Sequence, residues 1–376
     1  MTTTKGQLRP ASIDDAQAIT AFLISLGLVM PAGEDATRRH WQGLWVDNPA
    51  LAHHKNPSLG SVLEDDGEIK GFFGNIPQVS WLGDKPVTIS SARAWAVDPE
   101  FRSETPRLCS AFFDQSDVDL VLISSANPPA GKRCLAFGGA KMPQPEYDNI
   151  LYWVVNASGF LSAAFRKKGC GSFMASMLGL MGSMPLDFNI NIKGRRPYGA
   201  LDNLTPVSLD GVDAVFDDLW MRKRRQMPDT LLASRDAATL RWYFGLGAGR
   251  DDVRFLRYDE GDMLKGYAVL VREDAPAIGL RRMKIADIVA DENDSKIIQA
   301  LLAGSYDYAR ARQCHVLELI GLPEDVRAMA QKNKPFSRPM ATFPFFYKAL
   351  SPGLGEKLAN ANSWYVTAYD GDTSLI

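Results

Sequence analysis

Residues 87–127 constrain the fold more than any other part of this chain, because they read strand, turn, helix, strand in one short span. Residues 87–97 have the β-branched and aromatic content of a strand. Asp98-Pro99-Glu100 ends it, since proline has no N–H with which to continue a ladder. Arg102-Ser103-Glu104-Thr105 then leads into a helix, where Ser103 or Thr105 accepts from the unpaired amides of the first turn. Leu108, Phe112 and Phe113 give that helix an apolar side. Residues 118–123 return as a buried strand, and the chain is therefore of α/β class.

The strands that precede this unit are marked by turns. Residues 7–11 form a first strand, and Ser12 with Asp14 and Asp15 opens a helix that carries Ala16, Ile19, Phe22, Leu23 and Leu26 at helical spacing. Trp41 and Trp45, four apart on a second helix, read as packing aromatics. Asp65-Asp66-Gly67 is a hairpin signal between residues 62–63 and 69–76. Residues 79–82, with Gly83-Asp84, give another strand and turn before Val87, so three antiparallel strands feed it.

This order, and the motif after it, resemble the GNAT N-acyltransferase superfamily. In that family a strand ending in Val-x-Pro-x-x-Arg precedes a Gly-rich turn, whose amides hold the pyrophosphate of acetyl-CoA at a helix N-terminus. Val97, Pro99 and Arg102 match the motif, while the sequence from Arg102 to Arg107 contains no glycine. The resemblance implies that Trp95, Ala96 and Val97 line the pantetheine slot. It also implies that Arg102, Ser103, Thr105 and Arg107 meet the phosphates, and that Asn127 occupies the place of the family's asparagine. The donor it implies is acetyl-CoA or another acyl-CoA.

A general base and an acid are harder to place. The central strand offers Ser90, Ser91, Arg93 and Trp95 where the family carries a carboxylate, which leaves Asp98 and Glu100 just past its end as base candidates. The family's acidic tyrosine falls near Cys134 or Leu135. Cys134, Tyr147 and Tyr152 are therefore the candidate acids, with a core position the plainer reading of Cys134.

Residues 157–186 are rich in Gly and Met, with Met174, Met177, Met181 and Met184 at helical spacing. They read as a core helix between two domains, ahead of an adaptable surface for an acyl chain or lipid headgroup. They are too interrupted to span a bilayer, which needs about 20 apolar residues. A loop at 193–206 then marks a boundary. The expected division is 1–156, 157–206 and 207–376.

The pattern then begins again. Residues 212–224 are amphipathic and end in a solvated Arg222-Lys223-Arg224-Arg225 cluster. Ser234-Arg235-Asp236 caps a helix containing residues 240–244, strands follow at 253–258, 264–271 and 283–289, a helix at 295–312 and a strand at 316–320. With a terminal strand from Trp364 to Asp372, this resembles the second half of bacterial tandem-GNAT proteins related to the Fem-type peptidoglycan aminoacyl transferases. The second turn, Ala290 to Asp294, holds three carboxylates that would repel a pyrophosphate. Asp287 lies inside a strand, where a carboxylate drawn out of water is a stronger base, and pairing with Arg281 or Arg282 is the plainer reading. Asp370 and Asp372 mark a turn that, set in a cleft, holds a cation.

The expected fold is thus two tandem GNAT domains with mixed sheets. The expected activity is acyl transfer from CoA to an amine of a small molecule or peptide. The alternatives are a catalytically silent binding or scaffold protein and a Fem-like aminoacyl transferase. A net charge of −2 gives no general attraction to nucleic acid. Four scattered cysteines and the polar start of the chain suggest a cytoplasmic protein. The four histidines make no metal-binding pattern, the expected assembly is a homodimer, and the run Gly245 to Gly249 is a weak nucleotide-loop candidate.

Overall fold

The computed structural model describes residues 5–246, 252–340, 344–372 and 374–375, so most of the Gly245 to Gly249 run lies outside the described residues. The first sheet opens with β1 (Gln7–Pro10), β2 (Gly60–Asp65), β3 (Glu68–Leu82), β4 (Lys85–Val97), β5 (Leu120–Ile123) and β6 (Ala140–Lys141). The second contains β7 (Asn149–Val154), β8 (Leu204–Val207), β10 (Val253–Glu260), β11 (Met263–Arg272), β12 (Arg282–Ala290), β13 (Val316–Leu319) and β14 (Phe336–Pro339), while β9 (Leu232–Ala233) pairs with β3. β15 (Phe346–Ala349) returns to the first sheet between β5 and β6.

β7 and β15 cross between the halves. β7 lies before residue 156 yet pairs between β14 and β13 in the second sheet, and β15 lies far beyond residue 207 yet completes the first. Division by sheet is therefore not division by chain position.

Residues 69–82 form one strand where the sequence suggests two. Pro77 stands in the middle of β3, tolerated because β2 pairs only as far as Gly74 and β9 begins only at Ser80, so no neighbour requires its missing N–H. The Asp66-Gly67 hairpin is present, both residues having positive φ. The terminal segment 364–372 is not a strand. Among its described residues it makes only isolated bridges, Trp364 with Leu231 and Thr367 with Gly321.

Helices α1 (Ala16–Ser25) and α2 (Glu34–Trp45) cover one face of the first sheet, where Ile19, Leu23, Trp41 and Trp45 are buried and the two indoles stack at 4.3 Å. On the other face α3 (Thr105–Phe113) and α4 (Pro128–Ala136) bury Leu108, Phe112, Phe113 and Cys134. α5 (Ala157–Lys167) and α6 (Ser172–Ile192) pack on each other. α7 (Ala214–Gln226) and α8 (Ala237–Gly245) join the two halves, since Phe216, Leu240, Tyr243 and Phe244 share one core with Trp41, Phe72, Phe255 and Tyr267. α9 (Ser295–Ala311) and α10 (Glu324–Gln331) cover the far face of the second sheet, and α11 (Leu354–Leu358) precedes the C-terminal tail.

Two sequence readings change here. The methionine face of α6 is not a core: Met174, Met177, Met181 and Met184 are 47–79% exposed, because α5 covers only the opposite side. Of the basic cluster that ends α7 only Arg225 is exposed: Arg222 pairs with Asp291, Arg224 lies over the Trp81 ring, and Lys223 is the most enclosed. It is buried, donating to Ala290 O and Asn293 Oδ1, and burial lowers its pKa to about 8.

Candidate active site

In each sheet one parallel pair opens into a gap. β4 and β5 are paired only from Ile89–Leu120 to Ser91–Leu122. Beyond this, Ala94 is an unpaired extra residue with φ 52°, a bulge that bends β4 away from its neighbour. β12 and β13 are paired only from Arg282–Val316 to Ile285–Leu319. Two residues past the last pair stand Arg93 in the first gap and Asp287 in the second.

The C-terminal tail runs from one gap to the other. At the second, Leu322 N donates to Val366 O, Tyr365 Oη donates to Ile288 O, and Thr367 Oγ1 donates to Asp287 at 2.9 Å. At the first, Ser124 and Ser125 hydroxyls donate to Asp372 at 2.6 and 2.9 Å, and Arg93 approaches it at 3.4 Å. Between them Gln78 and Tyr243 donate to Gly371 O. Gly371 has φ 73°, and a Cβ there would stand 2.3 Å from Ser124 Oγ, so only glycine permits this approach.

Asp287 is paired neither with Arg281, which bonds His315 and Gln313, nor with Arg282, which bonds Glu273. Its partner is Arg235, by a bidentate contact of 2.8 and 3.1 Å, and Tyr267 Oη donates to it as well. Arg235 also lies 3.5 Å from Asp370 and packs over the Tyr365 and Tyr369 rings. One buried cation thus serves two buried carboxylates. The second is left short of charge: desolvation outweighs Arg235 and raises the pKa of Asp370 to about 6.

Asp370 lines a cavity of about 420 Å³ enclosed by β3, α7, α8 and the tail. Its floor is Ile89 and Leu122, on the paired part of β4 and β5, and its walls include Trp81, Trp220, Trp242 and Tyr243. Asp217 and Asp236 add negative charge while also capping α8, accepting from Ala237 N and Thr239 N. Arg224, lying over the Trp81 ring, also lines the chamber, and an apolar space with three carboxylates against one arginine suits a small organic cation or amine.

The residues singled out from sequence are dispersed around this chamber. Trp95, Ala96 and Val97 lie on the diverging end of β4, with Trp95 stacked on Phe73. Asp98 accepts from Glu100 N to cap the 3₁₀ turn Pro99–Glu104, and Glu100, Arg102 and Ser103 are exposed. Asn127 caps α4 through Ala130 N. Cys134 is excluded as an acid by position, being fully buried with its thiol pushed up to about 12. Tyr147 is a core residue packed on Phe345, and Tyr152 stacks on Phe160 and Phe336, so neither ring reaches the chamber. Arg107 does not face an open phosphate site: it donates to Glu104 at 2.8 Å and to Gly6 O.

The diphosphate turn does not fit CoA in the manner of a Gly-rich cradle. The amides of Glu100, Phe101 and Thr105 are consumed inside the 3₁₀ turn, Thr105 is followed by Pro106, which has no N–H, and the Glu104 carboxylate is buried beneath. The gap along Ala92 to Val97 is filled at its inner end by the contact of Arg93 with Asp372 and is half-buried beyond it. Sequence reading overlooked Arg235 as the partner of Asp287 and Tyr243 as a wall of the chamber. The Asp370-Gly371-Asp372 turn was the one legible signal for it.

The architecture is that of GNAT acyltransferases, two mixed α/β sheets each opening at a parallel pair. A conserved protein from Enterococcus faecalis, described as a probable N-acyltransferase, superposes with a TM-score of 0.58 at 9% identity over 92% of this chain and 73% of its own. A GCN5-related N-acetyltransferase from Anabaena variabilis gives 0.56 at 12% identity over 92% and 73%. N-myristoyltransferase of Saccharomyces cerevisiae with bound myristoyl-CoA gives 0.53 at 14% identity over 93% and 80%. No protein-family model matches the sequence, and no curated protein does.

Proposed function

We propose that this protein is an acyltransferase that moves an acyl group from a thioester to an amine. The observation that carries the reading is the buried Asp370 carboxylate, with its raised pKa, facing a chamber whose floor is the paired end of β4 and β5. The thioester arm enters along Ala94 to Val97 and the amine occupies the acidic chamber. The amine nitrogen attacks the thioester carbonyl carbon, the C–S bond breaks, and the sulfur leaves as thiolate. Asp370 takes the proton lost from nitrogen, a task suited to a base whose pKa lies near 6. Arg235 holds that carboxylate in place, and the aromatic walls exclude water. Structural likeness to acyltransferases, one of them holding myristoyl-CoA, supports the reaction class.

The donor is tested by calorimetric titration with acetyl-CoA and a long-chain acyl-CoA, followed by turnover with a panel of amines. Binding with turnover that Asp370→Asn abolishes supports the enzyme. The closed diphosphate turn favours a second reading, a protein that kept the fold for binding alone. Amine binding in the chamber with no heat from either thioester would select that one.

A further inference from the structure

The exposed face of α6 has no role in the chamber. Phe173, Met174, Met177, Leu180, Met181, Met184, Phe188 and Ile192 are each 47–79% exposed. At 100° per residue they fall within about 120° of the helix circumference, an apolar row interrupted only by Asn191 near its C-terminal end and bordered by Asp187. Ala175, Gly179 and Ile190 point the other way, Gly179 closely against Ser158 and Ser162 of α5. An exposed apolar row of this length on a folded protein marks an interaction surface.

Its charge says what covers it. Residues 157–198 carry six Lys or Arg side chains and one acid, Asp187, in a chain whose net charge is −2. The cations gather at both ends of the row: Arg166, Lys167 and Lys168 before α6, and Lys193, Arg195 and Arg196 after it. Lys167, Lys168, Lys193 and Arg196 are exposed. Against a second copy, parallel or antiparallel pairing of the row would bring basic end onto basic end. A flat anionic surface meets both ends and the apolar row together. Among the described residues no helix is long and apolar enough to cross a membrane, so such contact lies in the plane of the bilayer.

We infer that α6 docks this protein on an anionic lipid bilayer, its apolar row in the interface and its basic ends on the headgroups. The test is co-sedimentation of the full chain with vesicles of phosphatidylcholine containing about one third phosphatidylglycerol, against phosphatidylcholine alone. Strong binding to the anionic vesicles and weak binding to the neutral ones is expected. Lys167→Gln with Lys168→Gln should lower the partition about fivefold per cation, and Met181→Asp with Met184→Asp should abolish it. These side chains are exposed, so circular dichroism of the variants should match the parent. As a second readout, the shift of emission to shorter wavelength on adding anionic vesicles should be larger in Phe188→Trp than in the parent, whose eight tryptophans set the background, and neutral vesicles should shift neither. Equal or absent binding to both vesicle types overturns the inference. So does a dimer in light scattering that Met181→Asp converts to monomer without vesicle binding, which would assign the row to a second copy.

Discussion

Arg235 and Asp370 lie 3.5 Å apart in the centre of the molecule, both buried, and the arginine is already committed to Asp287 by two shorter bonds. Asp370 therefore receives a partial share of one cation. Thr367 N and Oγ1 donate to it and fix its position, while its charge is not fully stabilised, the condition under which a carboxylate serves as a base near neutral pH.

Asp370→Asn should lower acyl transfer by about two to four powers of ten, and the parent's rate should rise with pH through an apparent pKa near 6. Stability should move the opposite way. A carboxyl whose folded pKa is raised from 3.8 to about 6 binds more protons folded than unfolded, so its contribution declines as pH rises through that window, by about 3 kcal/mol in all. Thermal melts between these pH values should show a decline in the parent that Asp370→Asn lacks.

Arg235→Met should destabilise the protein by about 3 to 5 kcal/mol, because Asp287 would remain buried without its cation. Urea denaturation reads this directly. Adding Asp287→Leu should recover part of the loss, whereas an unchanged midpoint in the single variant would show that the pair carries little.

Gly371→Ala separates the tail from the core. The added Cβ meets Ser124 Oγ and has no relaxed conformation at φ 73°. Turnover should fall at least about tenfold and the melting temperature should drop as well, because displacing Asp372 leaves the Ser124 and Ser125 hydroxyls without their acceptor, and the tail should be more readily cut by protease.

Arg107→Ala tests the closed turn. If Arg107 only braces Glu104 and the β1 end of the chain, the Michaelis constant for the thioester stays unchanged, while stability falls by about 1 to 3 kcal/mol because the buried Glu104 carboxylate loses its cation. A large rise in that constant would return the arginine to the phosphates.

His40→Phe should make the protein less sensitive to acid. Burial and the nearby Arg93 lower the pKa of His40 from 6.5 to about 4, so the unfolded chain binds the extra proton first and stability is lost as pH falls through that interval. Melting curves at both ends of the interval check it.

Much of the frame was legible from local chemistry. The Asp66-Gly67 turn, the cap at Asp236, and the strand-helix-strand unit after Lys85 all depend on neighbours a few residues away. The site depends on distant ones: Arg235 and Asp287 are 52 residues apart, Ser124 and Asp372 are 248 apart, and neither distance leaves a periodic trace. The plainer reading of Asp287, an ion pair, was right in kind and wrong in partner. The methionine stripe of α6 shows the limit of periodicity, which reveals that one face is apolar but not what lies against it.

The exchange of β7 and β15 sets the order in which the molecule can be completed. During synthesis the first sheet lacks a strand until residue 349 has emerged, and the chamber lacks one of its walls until Asp370 follows. The early half must therefore wait with β5 unpaired on one edge. The wall that Asp370 gives the chamber is among the last parts of the protein to come into existence, so a chain cut short before it has an unfinished chamber.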